Sequence, residues 1–569
     1  MPALPGVVDI LVLGSGAAGM TAALTAATLG LDTLLVEKTE WLGGTTALSA
    51  GSVWIPNSRH AQGDDGPDRA RAYLREALGD RYQESLISAF LRAGPELIEF
   101  LEEKSCVAFR AYPYHPDYLA TLEGASLRGR VLEPRPFDAA VLGQELRRLR
   151  KPIPEFTLFG GMMVDRVDIG HLLNANRSAA SMWHATKLMA RYAADYLRFG
   201  RGARLVMGNA LVGRLYHALR QLHVAILTST HVLRLTGHEG RVTGAILQSP
   251  DQTWEVRCRR GVILATGGFS HDPVLRRQLM PASLSAHSPV VEGATGDGLA
   301  LATPFGGHLA AARSSNSFWA PVSLRTRADG SMAVFPHLVL DRGKPGLIAV
   351  NPAGSRFVSE ATSYHRFVEA MFAELGRDPT AACFLVCDDE FIASYGLGMV
   401  RPRRLNLRKA VADGYVVQAD SIRGLAEKLR LPGDALEASV ARHNGFAGTG
   451  IDSDFGKGSD AYQRNLGDPG HRPNPCIGRL AKPPFYAVRI YPGDIGASCG
   501  LVTNAHAQVL REDGSSIVGL YACGNDMNSI MNGIYPGPGI TLGPAMTFGY
   551  IAARHAADGF VTDGGTPAL

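Results

Sequence analysis

The 569-residue sequence has little of what marks membrane proteins, nucleic-acid-binding proteins and secreted proteins. It contains no run of about 18 apolar residues, so no membrane-spanning helix is predicted. Its net charge of +4 is too small to indicate a nucleic-acid partner. The first residues pass into an apolar strand without the basic and cleavable parts of a secretion signal. The cytoplasm is therefore the expected compartment.

Cysteine is scarce and scattered. The seven cysteines are Cys106, Cys258, Cys383, Cys387, Cys476, Cys499 and Cys523. The closest pair lies in the strand-like segment ACFLVC, which favours two buried small side chains over a disulfide or a metal site. No metal is predicted. The sequence also lacks a CxxCH motif, iron–sulfur spacing and a second GxGxxG motif, so no internal electron relay is expected.

Glycine, in contrast, is abundant, with 65 residues that cluster in short runs without a fixed period. This distribution is typical of tight turns and cofactor-binding loops and excludes a fibrous chain. With 46% hydrophobic and 19% charged residues, the chain can bury more than one small core. We therefore expect two domains.

The strongest motif is DILVLGSGAAGMTAALTAATLGLDTLLVEK, residues 9–38. An apolar strand leads into glycines with GxGxxG spacing, an alanine-rich helix follows, and a second strand ends in an acid. This order is typical of a dinucleotide-binding unit, in which a pyrophosphate approaches the helix N-terminus and the acid accepts hydrogen bonds from a ribose. The predicted binding residues are Gly14, Gly16, Ala17, Ala18, Gly19, Glu37 and Lys38.

Three later segments favour FAD over NAD. Residues 41–57, WLGGTTALSAGSVWIPN, supply small residues that let backbone lie beside a large planar ring. Residues 261–269 and 519–527 are apolar strands that end in small polar or glycine residues, as in two-dinucleotide-binding-domain flavoproteins. The FAD-binding residues predicted here are Gly43, Gly44, Thr45, Thr46, Ser49, Ala50, Gly51, Ala265, Thr266, Gly267, Gly524 and Asn525.

These motifs lie at both ends of the chain and predict an α/β fold. Residues 1–275 and 505–569 would form a Rossmann-like FAD-binding domain, and residues 276–504 an inserted α+β catalytic or cap domain. Residues 67–104 and 170–222 show helical periodicity. The second of these segments sets six cations against one acid, Asp195; the cations are Arg177, Lys187, Arg191, Arg198, Arg201 and Arg204. An ordinary solvated helix face is the better interpretation, and peripheral membrane contact through residues 170–205 is the alternative.

The turn NGIYPGPGITLGPAMTFGY, residues 532–550, places Tyr535 among glycines and prolines just before a predicted helix. Free amides and the positive end of a helix dipole favour an anion there. We expect Gly539 to lie at this anion site, and Thr541 and Leu542 to begin the helix at the pyrimidine end of the flavin.

The chain resembles the 3-ketosteroid Δ1-dehydrogenases over nearly its whole length. The segments that carry the resemblance are, in chain order, the N-terminal unit, GGTTALSAGSVWIPN, ATGGF, NPAGSRFVSEATSY, YAVRIYPGDIGASCGLVTN and the C-terminal GLYACGNDMNSIMNGIYPGPG. These enzymes belong to the fumarate reductase and succinate dehydrogenase flavoprotein group. The resemblance implies FAD-dependent 1,2-desaturation of a 3-ketosteroid, with hydride passing from carbon 1 to flavin N5.

The resemblance also implies roles for single residues. Tyr364 would be the base, four residues after Glu360, where fumarate reductases carry an arginine. Tyr535 and the Gly539 amide would hold the 3-keto oxygen. Tyr118 would assist the base, although the match is partial and Tyr112 and Tyr114 remain open. Four further residues bear on the pocket: Trp319 and Met531 as apolar walls or, more simply, core, and Ser359 and Asn532 as departures from the family pattern.

Residues 41–51 contain no histidine, so the resemblance implies non-covalent FAD. Electrons would leave to an external acceptor, a quinone or another protein. Two alternatives remain: a ketosteroid dehydrogenase acting on the 4,5 bond, whose turn resembles YxSGxS, and a fumarate-reductase-like electron-transferring subunit, which would keep the arginine and a covalent histidine.

Overall fold

The computed structural model describes residues 6–63 and 65–559, so the outer ends of the predicted FAD-binding domain lie outside the described residues. The strands are β1 Val7–Leu13, β2 Thr33–Val36, β3 Val53–Trp54, β4 Phe109–Ala111, β5 Val131–Pro134, β6 Phe137–Asp138, β7 Arg204–Leu205, β8 Ala225–Leu227, β9 His231–His238, β10 Arg241–Gln248, β11 Thr253–Leu264, β12 Ser317–Thr326, β13 Met332–Pro336, β14 Leu347–Val350, β15 Cys383–Asp388, β16 Val417–Ala419, β17 Phe485–Ala497, β18 Gln508–Leu510 and β19 Ser516–Ala522.

The α-helices follow the predicted periodicity in 67–104 and 170–222, with breaks. They are α1 Ala17–Thr28, α2 Pro67–Leu78, α3 Glu84–Lys104, α4 Arg166–Leu173, α5 Ala179–Phe199, α6 Met207–Gln221, α7 Pro273–Leu279, α8 Asp297–Ala302, α9 Tyr364–Leu375, α10 Asp389–Tyr395, α11 Leu407–Ala412, α12 Ile422–Leu429, α13 Gly433–Thr449, α14 Ala461–Leu466 and α15 Leu542–Asp558.

The first sheet is the dinucleotide-binding sheet. Its path is β18-β19-β11-β1-β2-β8, and the pairs of β1 with β2 and β11, of β2 with β8 and of β11 with β19 are parallel. Strands β9 and β10 form an antiparallel meander that leads into β11. Because β1 is buried on both faces, its sequence is a nearly continuous apolar run. The expected α/β, Rossmann-like architecture is confirmed.

The second sheet is antiparallel, with the path β13-β12-β17-β15-β14 and β16 paired to β17. All of its strands lie between residues 317 and 497, whereas the first sheet uses residues 7–264 and 508–522. The predicted boundaries fall between these two sets of strands. They stay a prediction, because Phe318, Ala320 and Tyr364 share one hydrophobic cluster with the first sheet.

The two chain ends meet through helices α1 and α15. Gly549 of α15 approaches α1 so closely that a Cβ there would lie 2.6 Å from the Ala18 carbonyl oxygen. The close approach brings the N-termini of both helices to the same side of the first sheet. Cys383 and Cys387 are buried and free in β15, as the segment ACFLVC predicts.

Helices α4 and α5 form a surface pair, joined by His171 and His184, whose rings stack at 4.3 Å. Two of the six predicted surface cations face inward: Arg201 donates to the Leu149 carbonyl, and Arg204 lies 2.8 Å from Asp168. The outward face of α5 is largely apolar, with Trp183 71% and Leu197 89% exposed. Lys187 and Arg198 are exposed on α5 as well, so both interpretations of residues 170–205 stay predictions. In the described part of the chain, no helix is long and apolar enough to cross a bilayer.

Candidate active site

One cavity, of about 1990 Å³ including its open mouth, contains most of the predicted site residues. Its wall includes both the predicted cofactor residues and the predicted catalytic residues. The predicted residues that line it are Gly14, Gly16, Ala17, Ala18, Glu37, Lys38, Gly44, Thr45, Thr46, Ser49, Ala50, Gly51, Tyr118, Ala265, Thr266, Gly267, Tyr364, Gly524, Asn525, Tyr535, Gly539, Thr541 and Leu542.

Gly19 and Gly43 are the predicted residues that lie behind this wall. A Cβ on Gly19 would lie 1.9 Å from the Gly14 carbonyl oxygen, so this glycine permits close helix–strand packing. Gly43 has φ +113° and packs against Val212, and its amide donates to Ser15 Oγ. Both glycines shape the cofactor loops from outside the cavity.

The nucleotide end of the cavity is formed mainly by backbone. Gly14 has φ +105°, and a Cβ there would lie 2.2 Å from the Ala265 carbonyl oxygen. Gly16 faces open space, since its nearest neighbour would be Thr46 Oγ1 at 3.8 Å. Gly16 is also the N-cap of α1. A diphosphate can therefore approach the start of α1, where the Ala17 amide donates to Thr46 Oγ1 at 3.0 Å.

Glu37 directly follows β2 and lines the cavity, and its carboxylate already has protein donors. One oxygen accepts from the Ser15 amide and hydroxyl, and the other accepts from the Thr39 amide and hydroxyl. A carboxylate offers about four acceptor positions, so a ribose would share or replace these donors. Lys38 pairs with Asp297 at 2.7 Å, and Arg150 donates to Thr39 Oγ1.

The described residues fit FAD. Two helix N-termini, of α1 and α15, face one cavity, and the second begins at the predicted Leu542 after the N-cap Thr541. Gly267 has open space where a side chain would be. The first helix suits a pyrophosphate and the second suits negative charge on an isoalloxazine ring.

Three tyrosines meet at the other end of the cavity. The Tyr118 hydroxyl donates to the Tyr364 hydroxyl at 3.2 Å. The Tyr364 and Tyr535 rings lie 5.1 Å apart edge to face, and the Tyr118 and Tyr535 rings stack at 5.6 Å. The three phenols come from distant parts of the chain, so only the fold brings them together.

Separate local structures position each tyrosine. Tyr364 is the first residue of α9, after the N-cap Ser363. The Tyr118 amide donates to the Pro536 carbonyl at 2.8 Å, which fastens Tyr118 to the turn that carries Tyr535. Asp117, beside Tyr118, is fully buried and accepts from Trp54 Nε1 and Arg130 Nη1.

Gly539 closes the turn with φ +90°, and a Cβ there would lie 2.6 Å from the Ser52 carbonyl oxygen. Its carbonyl accepts from the Trp54 amide at 3.1 Å. Its own amide donates to no acceptor in residues 6–63 and 65–559 and lines the cavity. The turn therefore offers a backbone donor beside the Tyr535 phenol.

Burial makes the three phenols weaker acids than a tyrosine in water, because it raises the pKa of each. It raises the pKa of Tyr364 well above its ordinary value, and the nearby Tyr118 and Tyr535 add to the effect. Burial raises the pKa of Tyr535 to about 12. Burial also lowers the pKa of His115, which lines the cavity, to about 4. The histidine is therefore neutral at pH 7.

The geometry distinguishes Tyr112, Tyr114 and Tyr118, the three candidates for the residue that assists the base. Tyr114 is 45% exposed and is absent from the cavity wall, whereas Tyr112 lines the cavity beside His115. Of these three tyrosines, Tyr118 is the one whose hydroxyl bonds to Tyr364 in the described structure. We therefore keep Tyr118 as the partner of Tyr364.

Sequence reasoning missed other residues around the tyrosines. Tyr462 packs on Tyr118 with ring centroids 4.5 Å apart, and Arg342 is buried nearby. Neither residue belongs to a recognisable motif. Four residues considered from the sequence lie away from the cavity wall: Trp319 and Met531 in the core, Ser359 bonded to Gln463, and Asn532 bonded to the Arg81 carbonyl.

The fold and cavity define a flavoprotein oxidoreductase. The family model described as "FAD binding domain" matches residues 9–542. A "3-oxosteroid 1-dehydrogenase" of Mycolicibacterium smegmatis is 36% identical over 96% of this chain and 97% of its own. A "4-oxocyclohex-2-ene-1-carboxylate 5-dehydrogenase" of Sinomonas cyclohexanicum is also 36% identical, over 96% and 93%.

A solved structure is similar to this chain over nearly its full length. The 3-ketosteroid Δ1-dehydrogenase of Sterolibacterium denitrificans, in complex with 1,4-androstadiene-3,17-dione, has a TM-score of 0.89 and 35% identity over 97% of this chain and 100% of its own. The chain belongs to the FAD-binding-domain family of flavoproteins, and the resemblance to the 3-ketosteroid Δ1-dehydrogenases is confirmed. FAD is its cofactor, as the sequence predicts.

Proposed function

We propose that this protein catalyses FAD-dependent 1,2-desaturation of 3-ketosteroids. The observation that carries the proposal is the shared cavity: three phenols and the free Gly539 amide lie on the same wall as the dinucleotide residues. The relatives named for 3-oxosteroids support the substrate class. A ketone between Tyr535 and Gly539 would face the Tyr118–Tyr364 pair.

The chain's residues divide the chemistry between them. Tyr535 and the Gly539 amide donate to the 3-keto oxygen and stabilise the negative charge that develops there, an effect worth about 3 kcal/mol per donor. Tyr364, as phenolate, takes the proton from carbon 2, and Tyr118 donates a hydrogen bond to it. FAD, when bound, supplies the acceptor for the hydride that leaves carbon 1. The substrate thus loses a hydride and a proton and gains the 1,2 double bond.

The electrons then pass to an external acceptor, which we propose to be a quinone or a protein. We infer that FAD is held without a covalent link, because residues 41–51 contain no histidine. The fumarate-reductase-like alternative is less well supported, because Tyr364 stands where a dicarboxylate would need an arginine. The alternative of a 4,5-dehydrogenase predicts a different preferred substrate, a 3-ketosteroid that is saturated at the 4,5 bond.

The cyclohexane-carboxylate relative suggests a second substrate class, which the charges of the cavity disfavour. A carboxylate across a six-membered ring from the ketone would lie near the tyrosines. The cations on the described cavity wall, Lys38 and Arg150, lie at the Glu37 end, and His115 is neutral at pH 7. An anionic substrate would therefore lose solvation without gaining an ion pair.

The experiment is to purify the protein with its flavin and supply substrates anaerobically. A 3-keto-4-ene steroid should bleach the flavin, and an artificial acceptor should then sustain turnover to the 1,4-diene. 4-Oxocyclohexanecarboxylate, a 3-ketosteroid saturated at the 4,5 bond, and fumarate with reduced dye are the competing substrates. Faster turnover of any competitor would replace the proposal. Acid or heat should release FAD from the polypeptide; flavin fluorescence on the denatured band would contradict the non-covalent link.

We further propose that this enzyme rests on an anionic phospholipid surface through an apolar patch on the α4–α5 pair and the preceding loop. The patch consists of the exposed residues Phe159, Val167, Ile169, Leu173, Met182, Trp183, Met189, Tyr196 and Leu197. Aromatic and aliphatic side chains on one helix face are typical of helices that lie in a bilayer interface. Ile153, shortly before Phe159 in the chain, lines the cavity, so the patch lies next in sequence to the substrate site.

Charge supports a lipid occupant. Arg177, Lys187 and Arg198 are exposed around the patch without an ion pair in the described structure, whereas the acids of this region face inward. Asp165 and Asp168 are buried, and Asp195 accepts from the Ala203 amide. Each surface cation adds about 1 kcal/mol of attraction to an anionic membrane.

Vesicle flotation tests this surface. The protein should float with vesicles containing phosphatidylglycerol and less with phosphatidylcholine alone. The double variant Trp183→Gln/Leu197→Gln should stay at the bottom of the gradient. The control is Ile451→Gln, which removes an apolar side chain that is 69% exposed just after the end of α13. This variant should still float. Absence of wild-type flotation would reject the membrane proposal without affecting the enzymatic one.

A further inference from the structure

A buried arginine lies behind the tyrosine end of the cavity. The Arg342 side chain is 1% exposed, and its guanidinium donates to backbone carbonyls: Nε to His337 at 2.8 Å, Nη2 to Leu338 at 3.1 Å, and Nη1 to Glu360 at 2.9 Å and Thr362 at 3.3 Å. None of these acceptors is a carboxylate. The last two lie just before Tyr364, so the charge is tied to the segment that begins α9.

We propose that Arg342 is a positioning residue whose positive charge makes the phenolate of the Tyr118–Tyr364 pair attainable. This proposal about Arg342 rests on the proposed function, which assigns the base to the Tyr118–Tyr364 pair. A buried phenol loses water that would stabilise its anion. A fixed cation in the same dry region restores part of that stabilisation, because charges interact strongly where water is excluded.

The acids beside Arg342 do not cancel its charge by direct contact. Asp341 lies 2.6 Å from His337 and also accepts the Gly398 amide. Glu360 lies 2.9 Å from Arg356 and 3.2 Å from Lys457. Each carboxylate thus has its own partner, and the Arg342 guanidinium is left with carbonyl dipoles alone.

Other titratable and charged groups surround the Tyr118–Tyr364 pair. The titratable and charged groups that face it are Tyr535, Tyr462, His115, His365, Arg342 and, behind Arg342, Asp341 and Glu360. His115 is neutral because burial lowers its pKa to about 4. The Tyr364 backbone also lies at the N-terminus of α9, whose dipole has the same sign as Arg342.

The charge of Arg342 acts on the pKa of Tyr118, whereas burial, Tyr118 and Tyr535 raise the pKa of Tyr364. Burial raises the pKa of Tyr118 well above its ordinary value, and Tyr462 and Tyr535 add to that, while the hydrogen bond to Tyr364 and the charge of Arg342 lower it. Arg342 also opposes the rise that burial causes in the pKa of Tyr462. Reciprocally, burial lowers the pKa of Arg342, and Tyr462, Asp341 and Tyr118 counteract this.

The test is the pH dependence of flavin reduction by a 3-keto-4-ene steroid, measured by anaerobic stopped flow on the holoenzyme. Arg342→Gln removes the charge, and Arg342→Met is a second neutral replacement. Either should move the rise of the rate with pH upward by about one unit, so that reduction at pH 7 is about tenfold slower and recovers at high pH. Arg342→Lys keeps the charge, loses part of the hydrogen bonding, and should leave the pH profile nearly in place.

A second readout does not need the substrate. With 3-fluorotyrosine incorporated at position 364, ¹⁹F NMR should show its ionisation at higher pH in Arg342→Gln than in the wild type. The matched control is Arg201→Gln, which removes another buried guanidinium that donates to backbone carbonyls, away from the tyrosines. Arg201→Gln should leave both titrations unchanged.

The outcomes are separable. A neutral variant that slows reduction equally at every pH, or shows an unshifted ¹⁹F titration, overturns the charge role. So does loss of folding in both neutral variants while Arg342→Lys folds, because the residue is then structural. If no 3-ketosteroid reduces the flavin of the wild-type enzyme, the proposed function is rejected instead. The ¹⁹F titration still reports on Arg342 in that case.

Discussion

The two ends of the cavity are built differently. At the nucleotide end, the shape comes from main chain: Gly14, Gly16 and the first turn of α1 leave amides and open space for a phosphate. At the tyrosine end, the shape comes from side chains, because Tyr118, Tyr364 and Tyr535 touch one another across segments far apart in sequence.

The two ends differ in construction because the nucleotide end holds the cofactor and the tyrosine end performs the chemistry. Backbone at the nucleotide end is a fixed array of donors that needs no titration. The tyrosine end needs a phenol to ionise in a dry site, so it depends on nearby charge such as Arg342. Changes at the first end should therefore remove FAD, and changes at the second should keep FAD and slow the reaction.

The largest expected effect is at the nucleotide end. Gly14→Ala should lower FAD affinity by about 3 kcal/mol or more, about 100-fold in Kd, because the backbone at φ +105° is strained for alanine and the new Cβ would overlap the Ala265 carbonyl at 2.2 Å. Flavin content after gel filtration measures it. Gly30→Ala is the control, since Gly30 also has a positive φ of +82° but open space around it. Retention of FAD in Gly14→Ala would show that the loop can move.

Tyr364→Phe should have the largest effect at the tyrosine end. FAD and steroid should remain bound, while flavin reduction slows by about 10² to 10⁴, or 3 to 5 kcal/mol, the range of lost general-base catalysis. Anaerobic stopped flow gives the rate, and the flavin spectrum gives the occupancy. Tyr114→Phe, at an exposed phenol away from the wall, is the matched control. A near wild-type rate would remove Tyr364 from the mechanism.

Tyr535→Phe should have a somewhat smaller effect. It removes one of two donors to the developing oxyanion, so reduction should slow by about 10² to 10³. Ketone binding should weaken less, by about 0.5 to 1.5 kcal/mol, because the donor acts most strongly where charge develops. The turn should persist, since Pro536, Gly537 and Pro538 remain. Loss of FAD or an unchanged rate would make Tyr535 a packing residue.

The smallest effect concerns His115 and pH. Burial lowers its pKa to about 4 in the folded chain, so the unfolded state takes up a proton first as pH falls below about 6.5. Stability from this group is therefore complete above pH 6.5 and is lost toward pH 4. At pH 5 the loss should be about 1–2 kcal/mol, because the ring lines the cavity and keeps some contact with water.

His115→Gln should remove that part of the acid sensitivity, as measured by denaturant unfolding at pH 7 and pH 5. Tyr112→Phe, at the neighbouring ring, should keep it. An equal loss of stability in His115→Gln and wild type would assign the acid sensitivity to other groups.

Much of the nucleotide end could be predicted from the sequence. The glycine spacing, the apolar strands and the terminal Glu37 are contiguous, so short-range geometry decides them. The tyrosine end could be predicted only through the resemblance. For residues 170–205 the sequence left a solvated face and a membrane contact open, and its spacing does not show that Arg201 and Arg204 turn inward while Trp183 turns outward.

By itself, the sequence determined the dinucleotide unit and the tight turn that holds Tyr535. Local rules are sufficient for these features, because strand periodicity and positive-φ glycines act over a few residues. Only the tertiary structure decided that Tyr118 bonds to Tyr364, that Tyr462 packs beside them and that Arg342 is buried behind them without a carboxylate contact. Tyr118 and Tyr364 are 246 positions apart in the chain, and no local pattern records their contact.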